Sequence, residues 1–183
     1  MKKHILILLI FSSTILSGQA QRFITKTGHI KFYSDSPLEK IEAHNRQVNA
    51  AIDATSGDFV FKVLMKSFEF EKALMQEHFN ENYVESDKFP NATFLGKVTN
   101  IKEVNVSKDG TYGAVVEGKL TLHGVTSFVK EAGAFEVKGG KLTGKARFNI
   151  LLADYDIKIP GAVTKNISKT IEITVDVVLE KLN

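Results

Sequence analysis

The chain has 183 residues, with 24 Lys and Arg against 21 Asp and Glu, and it contains no cysteine. This near balance of charge leaves no basic run of the kind that nucleic acid binding needs, and the missing thiols exclude disulfides, thiolate catalysis and acylation at a cysteine. The length suits one domain with a sizeable core.

The first twenty residues read as a cleaved secretory signal. Lys2 and Lys3 precede a short apolar run containing Ile5, Ile10, Phe11, Ile15 and Leu16, and Gly18-Gln19-Ala20 offers a small-residue cleavage site. Ser12, Ser13 and Thr14 interrupt the run, which is too short for a membrane span. The expectation is an exported protein, periplasmic or secreted, with no stable membrane insertion and a single domain over residues 21–183.

Alternation with a period of two dominates the remainder, and such alternation marks half-buried strands. It predicts short strands over residues 29–33, 48–53 and 59–66, with Ala54-Thr55-Ser56-Gly57-Asp58 as a turn between the last two. Phe59, Phe61, Val63 and Met65 share one face of the third strand. Residues 69–83 predict the one main helix: no Gly or Pro interrupts them, and Leu74, Met75, His78 and Phe79 fall on one stripe. Phe89-Pro90 then forces extended backbone. Strands over 93–104 and 111–122 flank the hairpin signal Asp109-Gly110, and further strands follow over 125–137 and 141–152. Residues 154–161 predict a loop around Pro160. In the last strand Ile171, Ile173, Val175, Val177 and Leu179 alternate with polar residues. About eight sequential antiparallel strands suggest an all-β barrel, because closure removes exposed edges.

Two motifs sharpen this reading. KFPNATF at residues 88–94 and GKLTLHGVT at 118–126 follow an early SFEF hairpin end and the helix, and precede a terminal IEITVDV strand. In this order the segments resemble the YceI-like family of periplasmic proteins over nearly the whole of residues 21–183. The resemblance implies an extended, lipocalin-like antiparallel barrel with one capping helix, whose apolar interior takes a long-chain isoprenoid or other lipid. It implies neither a catalytic role nor a cofactor, and it admits a homodimer. One departure stands in LLADYDIKIP (151–160), where Ala153 occupies the place of an Arg common in the family, while Asp154 and Tyr155 keep an acidic–aromatic pair.

A barrel of this size is either filled by its own side chains or holds one ligand, and alternation alone leaves both open. Thirteen Phe and no Trp supply flat side chains that need no hydrogen-bond partner. On the ligand reading the lining comes from the apolar strand faces: Phe32, Phe61, Val63, Phe94, Val116, Leu120, Phe135, Phe148, Ile173 and Val175. Leu74, Met75 and Phe79 would form a lid. His29, His44, His78 and His123 lack metal-ligand spacing, and His123 is expected on the outer face of its strand or at the bend before Gly124. No nucleophile or phosphate-binding motif occurs, so the reading is a binding protein, with a protein-interaction module on a plugged barrel as the alternative.

Overall fold

A computed structural model describes residues 21–182, so the proposed signal over residues 1–20 lies outside the described residues. The strands are β1 (Arg22–Asp35), β2 (Lys40–Asp53), β3 (Asp58–Leu64), β4 (Glu69–Phe70), β5 (Asn91–Val98), β6 (Gly110–Leu122), β7 (Val125–Lys138), β8 (Lys141–Leu151) and β9 (Thr170–Lys181). Eight of them form a ring in the order β1-β9-β8-β7-β6-β5-β3-β2, and a β1–β2 pairing closes it. Every pairing is antiparallel, and the two-residue β4 clips onto β2 at Ala43 and His44. The expected antiparallel barrel is therefore present. Among the described residues no helix is long and apolar enough to cross a membrane.

The two ends of the barrel differ. At the end holding the β2–β3, β5–β6 and β7–β8 turns, Phe23, Val48, Ile52, Phe135, Leu142 and Leu179 are buried in a solid core. The predicted strand over 93–104 stops at Val98, and the chain turns inward through a 3-10 helix, Ile101–Glu103. Asn100 makes this turn possible. Its Oδ1 accepts from the Val115 N–H at 2.9 Å and its Nδ2 donates to the Gly113 carbonyl at 3.0 Å, so a side chain takes over the ladder bonds that the strand abandons. Ile101 and Val104 then plug this end.

The other end is left hollow and is roofed by residues 65–90. Here the predicted helix is cut down. Glu69–Phe70 is strand, the α-helix α1 covers only Ala73–His78, and a single π turn, Phe79–Tyr83, follows. The reason is aromatic packing: Phe70 and Phe79 both pack on Phe32 of β1, with ring centroids 5.5 and 5.4 Å away, which pulls the start of the segment into the wall. β1 and β2 are also much longer than their alternation predicts, because register shifts around Gly28 break the period.

β7 and β8 pair only from Gly133↔Ala146 to Lys138↔Lys141. Beyond that point, towards the hollow end, the two strands share no register pair, and the Leu152–Tyr155 turn packs against β7 instead.

A close backbone approach shapes the wall. Gly96 and Gly118 face each other across β5 and β6, and the Phe94 ring lies over both. A Cβ on Gly118 would sit 2.5 Å from the Gly96 Cα and 2.8 Å from the Phe94 ring. Gly118→Ala should therefore destabilise the protein by about 1–3 kcal/mol through overpacking. Urea unfolding checks this, and an unchanged midpoint would show that the wall can relax.

Candidate functional site

The hollow end encloses a cavity of about 370 Å³, within the ordinary range for small-molecule sites. The strands supply its wall by alternation. Inward rows such as Phe61↔Phe94↔Leu120 cross β3, β5 and β6, and Ile173↔Phe148 joins β9 to β8. The roof comes from Phe68, Phe70, Met75, Phe79, Tyr83 and Val84. Two aromatic clusters dominate. Phe32, Phe68, Phe70 and Phe79 meet under the roof, with Phe68–Phe79 at 5.5 Å and Phe70–Phe79 at 5.1 Å. Phe59 bridges Phe61 and Phe94 in the opposite wall, at 6.1 and 6.0 Å. An apolar cavity of this kind is unfavourable to water and favourable to hydrocarbon.

Of the residues singled out from the sequence, Phe32, Phe61, Val63, Met75, Phe79, Phe94, Val116, Leu120, Phe148, Ile173 and Val175 line this cavity. Two do not. Leu74 is 60% exposed on the outer side of α1, because a six-residue helix turns only one narrow stripe towards the barrel and Met75 occupies it. Phe135 is buried in the solid core at the closed end, packed near Gly144 and Val177, where no space remains. The cavity also takes in Ile30, Phe59, Phe68 and Phe70. Phe59 is signalled in the sequence as a neighbour on the Phe61 face. Phe68 and Phe70 are hidden there because their segment reads as the start of a helix.

Polar groups are few and mostly occupied. At the rim, Glu39 pairs with Lys72 at 3.2 Å and accepts from Asn166 at 3.4 Å. Ser34 accepts the Ser168 N–H at 2.9 Å. Burial pushes the Tyr83 and Tyr155 hydroxyls above the usual range, and for Tyr155 the neighbouring Asp154 adds to the effect. Burial likewise pushes up the carboxyl of Glu131, which faces the cavity from β7.

His123 does not lie on an outer strand face. It sits in the β6–β7 turn with its ring turned inward, its side chain only 10% exposed. Its Nδ1 lies 3.0 Å from the Tyr155 carbonyl oxygen and its Nε2 2.7 Å from Glu85 Oε2, while Phe89 packs edge-on at 4.8 Å. Glu85, His123 and Asp156 are the non-glycine residues of positive φ among the described residues, at 44°, 51° and 52°. All three therefore fall at one junction, which ties the roof segment, the β6–β7 turn and the loop after β8 into one rim. Three strained residues in one network need such mutual support to persist.

On the outer wall, His29 Nε2 and His44 Nδ1 lie 3.0 Å apart and His44 Nε2 meets Glu42 at 2.9 Å. Burial, reinforced by Arg46, lowers the His29 pKa. The two rings are stacked within 10° of parallel. Among the described residues no group of three or more metal-ligating side chains is assembled.

Comparison with known proteins follows the same lines. The profile of the YceI-like domain family matches residues 16–179. Solved structures with the same fold include a polyisoprenoid binding domain from Saccharophagus degradans implicated in plant cell wall breakdown, 14% identical with a TM-score of 0.77, covering 90% of this chain and 100% of that one. Burkholderia cenocepacia BcnA is 15% identical with a TM-score of 0.68, covering 82% and 95%. The Campylobacter jejuni YCEI protein is 16% identical with a TM-score of 0.57, covering 76% and 83%. No curated protein gives a significant match.

The two helix residues provide a direct check on the roof. Leu74→Ala should change stability by no more than about 0.5 kcal/mol, as an exposed substitution does. Phe79→Ala, which removes a ring shared by three others, should cost about 2–3 kcal/mol and weaken binding of an apolar fluorescent probe several-fold. Urea titration and probe titration on both variants would show whether the roof depends on Phe79, and equal effects would contradict the geometry.

Proposed function

The chain belongs to the YceI-like domain family, and from that premise we propose that it is an exported carrier that holds the hydrocarbon tail of an isoprenoid or similar long-chain amphiphile in the hollow end of its barrel. The observation that carries this reading is the cavity itself: about 370 Å³ of space lined mainly by Phe, Ile, Leu and Val, at the end where packing could have been completed and was not. Burial of each CH₂ equivalent contributes roughly 0.8 kcal/mol, so a chain of several isoprene units needs no directed polar contact to be held. The polyisoprenoid binding of the Saccharophagus degradans domain, which shares the fold, supports the same ligand class.

The proposed role is binding and delivery rather than chemistry. The interaction-module alternative requires a plugged barrel; here only the closed end is plugged, and the hollow end argues for a small-molecule occupant. Export rests on residues 1–20, whose basic start, apolar run and small-residue site fit a secretory signal.

Native mass spectrometry of gently purified protein should reveal a co-purified long-chain apolar adduct, and protein stripped of lipid should take up one equivalent of a polyprenol. Protein that emerges empty and takes up nothing would refute the carrier reading. N-terminal sequencing of protein recovered from a periplasmic extract should start at Gln21; an intact Met1 would refute the export reading.

A further inference from the structure

The barrel wall is interrupted between β7 and β8. β7 pairs with β6 along nearly its whole length, and β8 does the same with β9. With each other they pair only from Gly133↔Ala146 to Lys138↔Lys141, so residues 125–132 of β7 and 147–151 of β8 each have one side without a partner strand. Towards the rim the Leu152–Tyr155 turn fills this space, with Tyr155 buried and its hydroxyl beside the Ser127 side chain of β7. Between that turn and the Gly133↔Ala146 pair a window is left in the side of the barrel.

The window opens onto the cavity. Val129, Glu131 and Ala132 of β7 and Ala146 and Phe148 of β8 all belong to the cavity lining. Ala132 points outward by alternation and is exposed, so its place in the lining means that the cavity reaches the side of the barrel. Glu131 keeps a carboxyl beside aliphatic neighbours at low cost, because solvent reaches it here. The lips of the window are apolar. Phe128, 70% exposed, lies on the outer face of the free edge of β7, and Leu151, 42% exposed, ends the free stretch of β8. The cations of the same two edges are drawn away from the window: Lys130 pairs with Glu117 on β6, and Arg147 with Glu172 on β9, each at 2.6 Å.

Resting on the carrier reading, we propose that this window is the port through which the bound chain enters and leaves, so that exchange is lateral, between β7 and β8, while the roof stays closed. Passage under the roof would separate the packed rings of Phe32, Phe68, Phe70 and Phe79, or break the Glu39–Lys72 pair or the His123–Glu85 contact. Passage through the window crosses no strand pairing. An apolar chain leaving there meets Phe128 and Leu151 before it meets bulk water, which lowers the cost of its transient exposure. An unpaired strand edge is a liability that closed barrels ordinarily remove, and a port accounts for its retention here.

The chain has no cysteine, so a single introduced thiol can be modified selectively. Ala132→Cys at the window and Leu74→Cys on the outer side of the roof, both at exposed positions, would each be coupled to a polyethylene glycol maleimide, a polar polymer with no tendency to enter an apolar cavity. Stopped-flow fluorescence would follow uptake of N-phenyl-1-naphthylamine and its release into excess phosphatidylcholine vesicles. The Ala132→Cys adduct should slow uptake and release alike, by about tenfold, with the equilibrium affinity unchanged, as an obstructed passage does. The Leu74→Cys adduct should match the unmodified protein. Release is the decisive readout, because an adduct that merely competed for the cavity would not slow it. Unchanged or faster release from the Ala132→Cys adduct, or equal slowing by the Leu74→Cys adduct, overturns lateral exchange and leaves the carrier reading intact. If the wild-type protein takes up neither the fluorophore nor a polyprenol, the carrier reading falls and this inference falls with it.

Discussion

Closing eight strands into a ring settles where every second side chain must go. Backbone donors and acceptors pair around most of the circumference, β7 and β8 part only towards the hollow end, and the inward-pointing residues are committed to a space of fixed width. The protein's character then depends on what fills that space. At one end the chain itself does so: after Val98 it bends inward, Asn100 replaces the lost ladder bonds, and Ile101 and Val104 complete a solid core. At the other end the corresponding segment, residues 65–90, crosses over the mouth and roofs it, so the interior stays open beneath.

The roof is held at two places of different character. Aromatic contacts between Phe32, Phe68, Phe70 and Phe79 fasten its start to β1 by dispersion and burial. His123 fastens its far side by directed bonds to Glu85 and to the Tyr155 carbonyl. This second attachment gathers three left-handed residues, so disturbing one of them disturbs the β6–β7 turn and the loop after β8 together. The conspicuous LTLHGVT motif thereby gains a structural role. Its histidine organises the rim, and Gly124 accommodates the Phe89 ring that packs against that histidine. Tyr155, beside the departure at Ala153, is buried and serves the same junction, whereas Ala153 itself is exposed.

A cavity built in this way distinguishes ligands mainly by shape and hydrophobicity. The Glu131 carboxyl and the separation of β7 from β8 interrupt a surface that is otherwise mostly apolar. The lateral separation is set by the backbone, so lining and access can vary independently.

Much of this is legible in the chain. Alternation in β6 and β9 identifies their inward faces correctly, since a strand's period of two is local and robust, and motif order in residues 88–126 identifies the family. Eleven of the residues chosen as lining do face the cavity, because a strand's apolar face in a closed barrel has only one place to point. Three features are decided by tertiary structure. Phe135 sits on a correctly read inward face, but at the closed end; position along the barrel axis is set by register with β6 and β8, which no local pattern encodes. Leu74 lies outside because Phe68, Phe70 and Phe79 shorten the helix and set its rotation through contacts with Phe32, on a strand distant in sequence. Whether the barrel is hollow or plugged is likewise beyond the sequence. Composition supplies the apolar side chains, but only the path of the segments that cross the two ends determines which end they fill.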